Sequence, residues 1–386
     1  MRLAARTNGK IADALERRGE LGEALRIHRE QRLPAFEQLG DVHAQVATKL
    51  SIARLLHSQG ELDEAVLLCR EELLPACEEL GDHYLVATTK SVLTRALEEQ
   101  GEVDEALRIL REEVLPVYER LADEKAVAVA KSRVAGILTA RGEREEALRI
   151  RRQEVAPVYE RLGAVASAAI NNDKIADILQ AQGELEEALR IRRDEVVPAL
   201  ERLGYGRWAA VTTSRIAVIL QAQGELEEAL RIQRDELLPA FERLGDLAWT
   251  SFTKGKIAEL TEAMGDAEEA VRIQQERLGE VRRHGDDHNV AWALLDLGKL
   301  DRRRGDLPAA AAEIAEAYEL AVRSGRLDVV AEVGTEYGQH QYHAGEQDEA
   351  LEVLRRSQHA YQRLGRRDEA HTVSDLISRI EGTDDT

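Results

Sequence analysis

The stretch QAQGELEEALRI, Gln180–Ile191, returns letter for letter at Gln221–Ile232. A shared structural constraint alone does not copy so long a run, so duplication of one unit is its simpler origin. The glycine inside the run fixes the length of that unit. Gly19, Gly60, Gly101, Gly142, Gly183, Gly224 and Gly265 stand 41 residues apart, and Gly305 and Gly345 continue at intervals of 40. A second series, Gly40, Gly81, Gly163, Gly204, Gly245, Gly285, Gly325 and Gly365, marks another turn within each period, with Ala122 in its one vacancy. Two turns per period mean two helices per unit, since glycine reaches the left-handed conformation that ends a helix without a Cβ clash.

Between the turns the apolar residues follow helical spacing. In the unit centred on Gly183 the first helix is predicted over about 166–182, with Ile175, Ala176, Ile178 and Leu179 as its apolar stripe. The second starts after Gly183 and buries Leu185, Ala188, Leu189 and Ile191, while Glu186, Arg190 and Asp194 stand four apart on its outer face. Such surface pairs contribute about 0.3–0.5 kcal/mol each, enough for helix support and solubility only. Aromatics make up 4% of the 386 residues, so burial rests on Ala, Leu, Ile and Val. That mixture has high helix propensity and too few β-branched residues to alternate as strands. The chain reads as all-α.

Several functions are disfavoured by composition. A formal net charge of −20 opposes sequence-independent binding to a phosphate backbone, which depends on Lys and Arg displacing counterions. No run of about 18 apolar residues exists to span a bilayer, and Met1 is followed by RLAARTNGK rather than a charged start and an apolar run. No nucleic acid, no membrane and a cytoplasmic location are the expectations. Cys69 and Cys77 lie eight residues apart on one predicted helix, about 12 Å along its axis, and read as free buried thiols.

A small residue follows a large aliphatic one in the first helix (helix A) at Ile52–Ala53, Val134–Ala135, Ile175–Ala176, Ile216–Ala217, Ile257–Ala258 and Leu297–Gly298. Seven residues after the small one comes the turn glycine, and five after that an alanine: Ala65, Ala147, Ala188, Ala229, Ala270 and Ala310. This pattern, over nearly the whole chain, resembles the tetratricopeptide repeat. The resemblance implies a right-handed α-solenoid of about nine helix-turn-helix repeats, whose small residues let the two helices of a unit cross closely. The unit is longer than the family's usual one of about 34 residues and is similar to the long form in kinesin light chains and bacterial signalling and defence proteins. The extra length falls in the second helix (helix B). There Pro34, Pro75, Pro116, Pro157, Pro198 and Pro239 recur at 41-residue spacing inside otherwise helical runs. A proline inside a helix costs about 3 kcal/mol, so six imply a shared purpose, and a kink at each is expected; a full break of helix B is the alternative.

The organisation that follows is a solenoid over 1–365, a capping helix over 366–380 and a disordered tail over 381–386, the cap covering the apolar face that a last repeat leaves open. Met1 leads straight into the first helix A with no polar cap, which suggests a piece of a longer protein with an upstream domain.

The chemistry-bearing motifs are missing: the sequence holds no phosphate-binding loop, nucleophile elbow or zinc-protease helix. His340 and His343 lack a third ligand at metal spacing, and the aspartates beside His284 and His288 read as helix caps. No enzyme, no cofactor and no metal are expected. One distribution stands out. Of nine lysines, seven occupy two positions of helix A: Lys49, Lys90, Lys131 and Lys254 at one, Lys10, Lys174 and Lys256 at the other, which Arg133 and Arg215 share. Either duplication copied a lysine that pairs with an acidic neighbour on the adjoining helix, or the lysines form a ladder for an acidic peptide.

By resemblance, helix A lines the concave groove of such a solenoid. The candidate groove is therefore Lys90, Arg95, Lys131, Arg133, Asp173, Lys174, Asp177, Ser214, Arg215, Lys254 and Lys256, and the expected function is a protein-interaction scaffold or adaptor gripping a peptide or partner domain. The alternative is a ligand-sensing regulatory domain of a larger bacterial signalling or defence protein.

Overall fold

The computed structural model describes residues 1–382; the end of the expected tail, 383–386, lies outside the described residues. The described chain is helical throughout, with no strand, and its nineteen helices form nine pairs and one final helix. It is an α-solenoid of helix pairs. The pairs fall into two compact units, residues 1–191 and residues from 192 onward.

Repeats are numbered here by their turn glycines, from Gly19 (repeat 1) to Gly345 (repeat 9). Helix A of repeat 5 runs Val165–Gln182 and ends on Gly183, whose φ of 84° is left-handed. The second turn behaves alike, and Ala122 keeps the same geometry at φ 53°, the one non-glycine with positive φ among the described residues. Its Cβ clashes there with the backbone, a strain of roughly 1 kcal/mol that glycine would avoid. The alanines after each turn, Ala65, Ala147, Ala188, Ala229, Ala270 and Ala310, are at most 2% exposed, which is where the two helices of each pair cross. In the first unit a continuous apolar core runs from Val46 to Ile178. In the second unit another runs from Leu278 to Ile380 and includes Val373, Ile377 and Ile380 of the final helix, Arg367–Glu381.

Helix B neither breaks nor stays regular at its prolines. In repeat 2 it runs as α-helix over Leu62–Leu67, as π-helix over Leu68–Leu73 and as α-helix again from Leu74 to Glu79. The same sequence of turns occurs in all six repeats of the 41-residue proline series, with π segments at His28–Arg32, Ile109–Val114, Ile150–Val155, Ile191–Val196 and Ile232–Leu237. The residue before the proline donates its N–H five residues back, Leu74 to the Cys69 carbonyl and Leu115 to the Leu110 carbonyl. The proline then sits in the first turn of the next α segment, where its missing N–H and fixed φ cost little. A π turn holds one residue more than an α turn. That residue accounts for the period: the two glycine turns around helix B are 21 apart in repeat 2 (Gly60 to Gly81) but 20 apart in repeat 7 (Gly265 to Gly285), where Ala267–His284 is α-helix throughout.

The carbonyl-bearing residue of each π turn points its side chain into the core, and its identity drifts along the chain. His28, Cys69, Leu110, Arg151, Arg192 and Gln233 hold this position, all at most 6% exposed. Arg151 donates to the Ser132 carbonyl at 3.2 Å and to Asn171 Oδ1 at 3.3 Å, while Asn171 Nδ2 donates to the Arg151 carbonyl that also accepts the π-turn bond from Ala156. Both cysteines are buried and free, and burial pushes the Cys69 thiol up to about 12.

Candidate functional site

The first lysine position of helix A is occupied by ion pairs inside each repeat. Lys90 meets Glu113 at 2.6 Å, Lys131 meets Glu154 at 2.8 Å, Lys254 meets Glu280 at 2.6 Å, and Lys49 meets Glu72 at 2.5 Å, each glutamate lying on helix B of the same repeat. These ammonium groups are about three-quarters covered, so duplication has copied a bond between the two helices. At the second position Lys174 pairs with Asp177 at 3.0 Å and Lys256 with Glu259 at 2.6 Å, one helical turn away. Arg133 reaches back one repeat, to Glu98 and to the Ser91 carbonyl at 2.7 Å. Asp173 and Arg215 are engaged as well, Ser214 is buried, and Arg95 is exposed. Spread over several repeats, these residues do not converge on one cavity; of the eleven, Lys256 alone lines a cavity of the second unit.

That cavity, of about 960 Å³, lies in the second unit between helix A of repeat 7, Leu247–Ala263, and helix A of repeat 8, Asp287–Arg304. Helical spacing sorts its walls. Trp249, Phe252, Lys256 and Glu259 recur three and four apart on one helix, and Trp292, Asp296, Lys299 and Arg303 do so on the other. The floor is Gln274 and Arg277 of helix B of repeat 7. Arg277 is 4% exposed; its Nη1 donates to Asp296 Oδ2 at 2.5 Å and to Gln274 Oε1 at 3.1 Å, and its Nε to Ser251 Oγ at 2.9 Å. The floor is open because of Gly255: a Cβ there would stand 2.7 Å from Arg277 Nη1. Repeat 1 also has a glycine at this place, Gly9, whereas repeats 2–6 carry Leu50, Ser91, Ser132, Asp173 and Ser214.

The two ends of the cavity differ. One is aromatic, with Trp249 stacked on Phe241 at 5.2 Å and edge-on to Phe252 at 5.3 Å, and Trp292 on the opposite helix. The other is an array of closed ion pairs. Arg303 holds both oxygens of Glu262, at 2.7 and 2.6 Å, and is raised further above its ordinary value by that bond. Glu259 bonds Lys256 through Oε2 and Gln221 through Oε1. Burial works to raise the Glu259 carboxyl, but the bond and charge of Lys256, the Gln221 bond and the Arg303 charge together hold it below its usual value. Lys299 bonds Glu336 at 3.1 Å. His288, also in the lining, is lowered by burial and by the nearby Arg326.

Two signals for this site stood in the sequence: aromatic residues, Phe252 and Trp292, fall at matching places in consecutive A helices, and Gly255 follows five repeats that carry a side chain at its place. The floor arginine had no such signal, because its exposure depends on the glycine opposite. Among the described residues no group of acids, histidines and cysteines is arranged to hold a metal, and no helix is long and apolar enough to cross a membrane. At the turn beside His284, Asp286 caps the next helix by accepting from the His288 N–H at 3.1 Å.

A tetratricopeptide repeat family model matches residues 87–112, 291–316 and 332–356, each match spanning the turn glycine of one helix pair. Three of the nine helix pairs thus match the tetratricopeptide repeat. No curated protein matches it in sequence. Among solved structures it is similar to a signal transduction ATPase with numerous domains from Pyrococcus horikoshii that carries a tetratricopeptide repeat sensor. The identity is 14% and the TM-score 0.61, covering 90% of this chain and 50% of that one. This chain thus spans half the length of that relative. It is also similar to aspartyl phosphate phosphatase F from Bacillus subtilis (10% identity, 87% of this chain and 94% of that one, TM-score 0.51). A third similar structure is a kinesin light chain-like protein with nearly identical repeats from Podospora anserina (21% identity, 51% of this chain and 95% of that one, TM-score 0.41). At these identities the likeness to solved structures is one of fold.

Proposed function

We propose that this protein is a non-enzymatic interaction module that binds a peptide or partner domain along its helix-A surface. The observation that carries the reading is the cavity of repeats 7 and 8, whose walls are two consecutive A helices and whose aromatic end offers apolar surface to anchor a ligand. The candidate residues on the A helices of the first unit are Lys90, Arg95, Lys131, Arg133, Asp173, Lys174 and Asp177, and those of the second unit, besides the cavity with its Lys256, are Ser214, Arg215 and Lys254. An acidic ligand would have to take Lys90, Lys131 and Lys254 from their glutamates, so charge on this surface tunes association more than it supplies affinity. A sensor domain of a larger signalling protein is the second reading, favoured by the fold shared with half of a protein that carries a repeat sensor.

Site-specific photo-crosslinking in the native cell tests the surface. Cross-linkers replacing Arg95, Lys174 or Lys256 on helix A are expected to capture one partner in common, and those replacing Arg111 or Arg193 on exposed helix-B positions are not. Capture of a partner from the helix-B positions alone would overturn the assignment.

A further inference from the structure

The cavity of repeats 7 and 8 shows an imbalance among its charged groups. Three carboxylates line it. Both oxygens of Glu262 are bonded by Arg303, and the two of Glu259 by Lys256 and Gln221. Asp296 is different: Arg277 takes Oδ2, and Oδ1 has no hydrogen bond among the described residues, although the side chain is 38% exposed. The cations show no such opening. Lys256, Lys299 and Arg303 each hold a carboxylate, and Arg277 is covered beneath Asp296. An anion entering here would have to break an existing pair, whereas a donor needs only the vacant oxygen. One turn from Asp296 on the same helix face stands Trp292, and Phe252 and Trp249 stand on the facing helix. Phe252 already attracts one cation, with Lys256 Nζ 5.8 Å from its ring centre. The charge of −20 over the chain adds a long-range bias toward positive ligands.

We infer that this cavity receives an arginine side chain of a peptide ligand, with its guanidinium lying against the aromatic end and donating to Asp296 Oδ1. The inference rests on the peptide-binding reading above and names the ligand chemistry of its anchor. A planar guanidinium fits better than an ammonium because it stacks on aromatic faces and loses less hydration when it does. Arg277 and Gly255 are the positioning residues: Arg277 fixes the Asp296 carboxylate from below, and Gly255 leaves room for Arg277 to do so.

The probe is acetyl-Gly-Gly-Arg-Gly-Gly-amide, with lysine, citrulline and glutamate replacing arginine in three companions. Binding is measured by calorimetry on the full chain and by tryptophan fluorescence in a Trp208→Phe background, which leaves only the two cavity indoles. The arginine peptide is expected to bind about tenfold or more tightly than the citrulline and glutamate peptides, with lysine between. Asp296→Asn is expected to weaken it about tenfold and Phe252→Leu several-fold; Phe252 is 42% exposed, so its replacement leaves the fold intact. Equal binding of the glutamate peptide, no loss in folded Asp296→Asn, or no arginine-peptide binding at about 5 mM would each overturn the inference. If cross-linking from Arg95 and Lys174 persists in Asp296→Asn, the inference fails while the helix-A reading stands.

Discussion

Repeats 1–6 and repeats 7–9 share their turn glycines and differ by one residue in helix B. In the first group that residue is absorbed as a π turn with a proline just beyond it; in the second, helix B is α-helix from end to end. The two features belong together. A proline inside a regular α-helix leaves a carbonyl unsatisfied and presses its ring against the preceding turn. The wider π turn separates those groups and lets the proline open a new α segment. Two of the plain repeats also differ at the helix crossing: where repeats 1, 2 and 4–7 have alanine, repeats 8 and 9 have Gly298 and Gly338.

Moving the proline without the bulge is the strongest way to break this comparison. In repeat 8, Glu319 stands six residues before Gly325, as Pro198 stands six before Gly204. Glu319→Pro is expected to cost about 3 kcal/mol or more in chemical denaturation, and Pro198→Ala to change stability by no more than about 1 kcal/mol. An alanine inserted between Ile314 and Ala315 gives the helix its extra residue and is expected to recover most of the Glu319→Pro loss. If the double variant is no more stable than the single one, the π turn is not what accommodates the proline.

The glycine crossing gives the next effect. A Cβ on Gly298 would lie 2.8 Å from Ile314 Cγ1 and 3.3 Å from the Ala310 carbonyl. Gly298→Ala is therefore expected to destabilise by about 1–3 kcal/mol despite alanine's better helix propensity. Ala176→Gly, at the equivalent crossing of repeat 5, is expected to lose only the propensity difference of about 1 kcal/mol. Thermal unfolding in which Gly298→Ala gains stability would show that repeat 8 does not cross more closely than repeat 5.

The helix pairs, their turns and the close crossing at Ala176 and Ala188 could be read from the sequence because each depends on one residue type at one place. So could the π turns in principle, since the glycine spacing of 21 against 20 localises the extra residue to helix B. A kink was the expectation there, because proline's cost in an α-helix is familiar and its comfort after a wide turn is not. The site was less legible for a different reason. The lysine column draws the eye by its regularity, yet regular spacing also suits a bond repeated in every unit, as Lys90–Glu113 and Lys131–Glu154 prove to be. The cavity comes from irregularities instead, Gly255, Trp249 and Trp292, and their meaning depends on which helices face one another.

The smallest effect separates the two groups by pH. In repeat 8 Glu313 is raised to about 7, first by burial and then by the Asp301 carboxylate, with Asp306 and Glu316 adding to it. Its folded pKa therefore lies above its ordinary 4.5, and the folded state binds more protons between those values. Stability from this group is present at low pH and is lost as pH rises through 7. In repeat 1 the opposite holds: His28, in the π turn, is lowered to about 4 by burial and by Arg32, so its contribution is present above 6.5 and lost as pH falls toward 4. Amide hydrogen exchange resolved by repeat should thus show repeat 8 loosening from pH 5 to 8 and repeat 1 tightening. Because Glu313 is partly open to solvent, its share is about 1 kcal/mol. Glu313→Gln should flatten the repeat 8 profile and raise its protection at pH 8, while leaving repeat 1 unchanged because repeats respond mainly to their neighbours. A repeat 8 profile that keeps its slope in Glu313→Gln would assign the titration to another group.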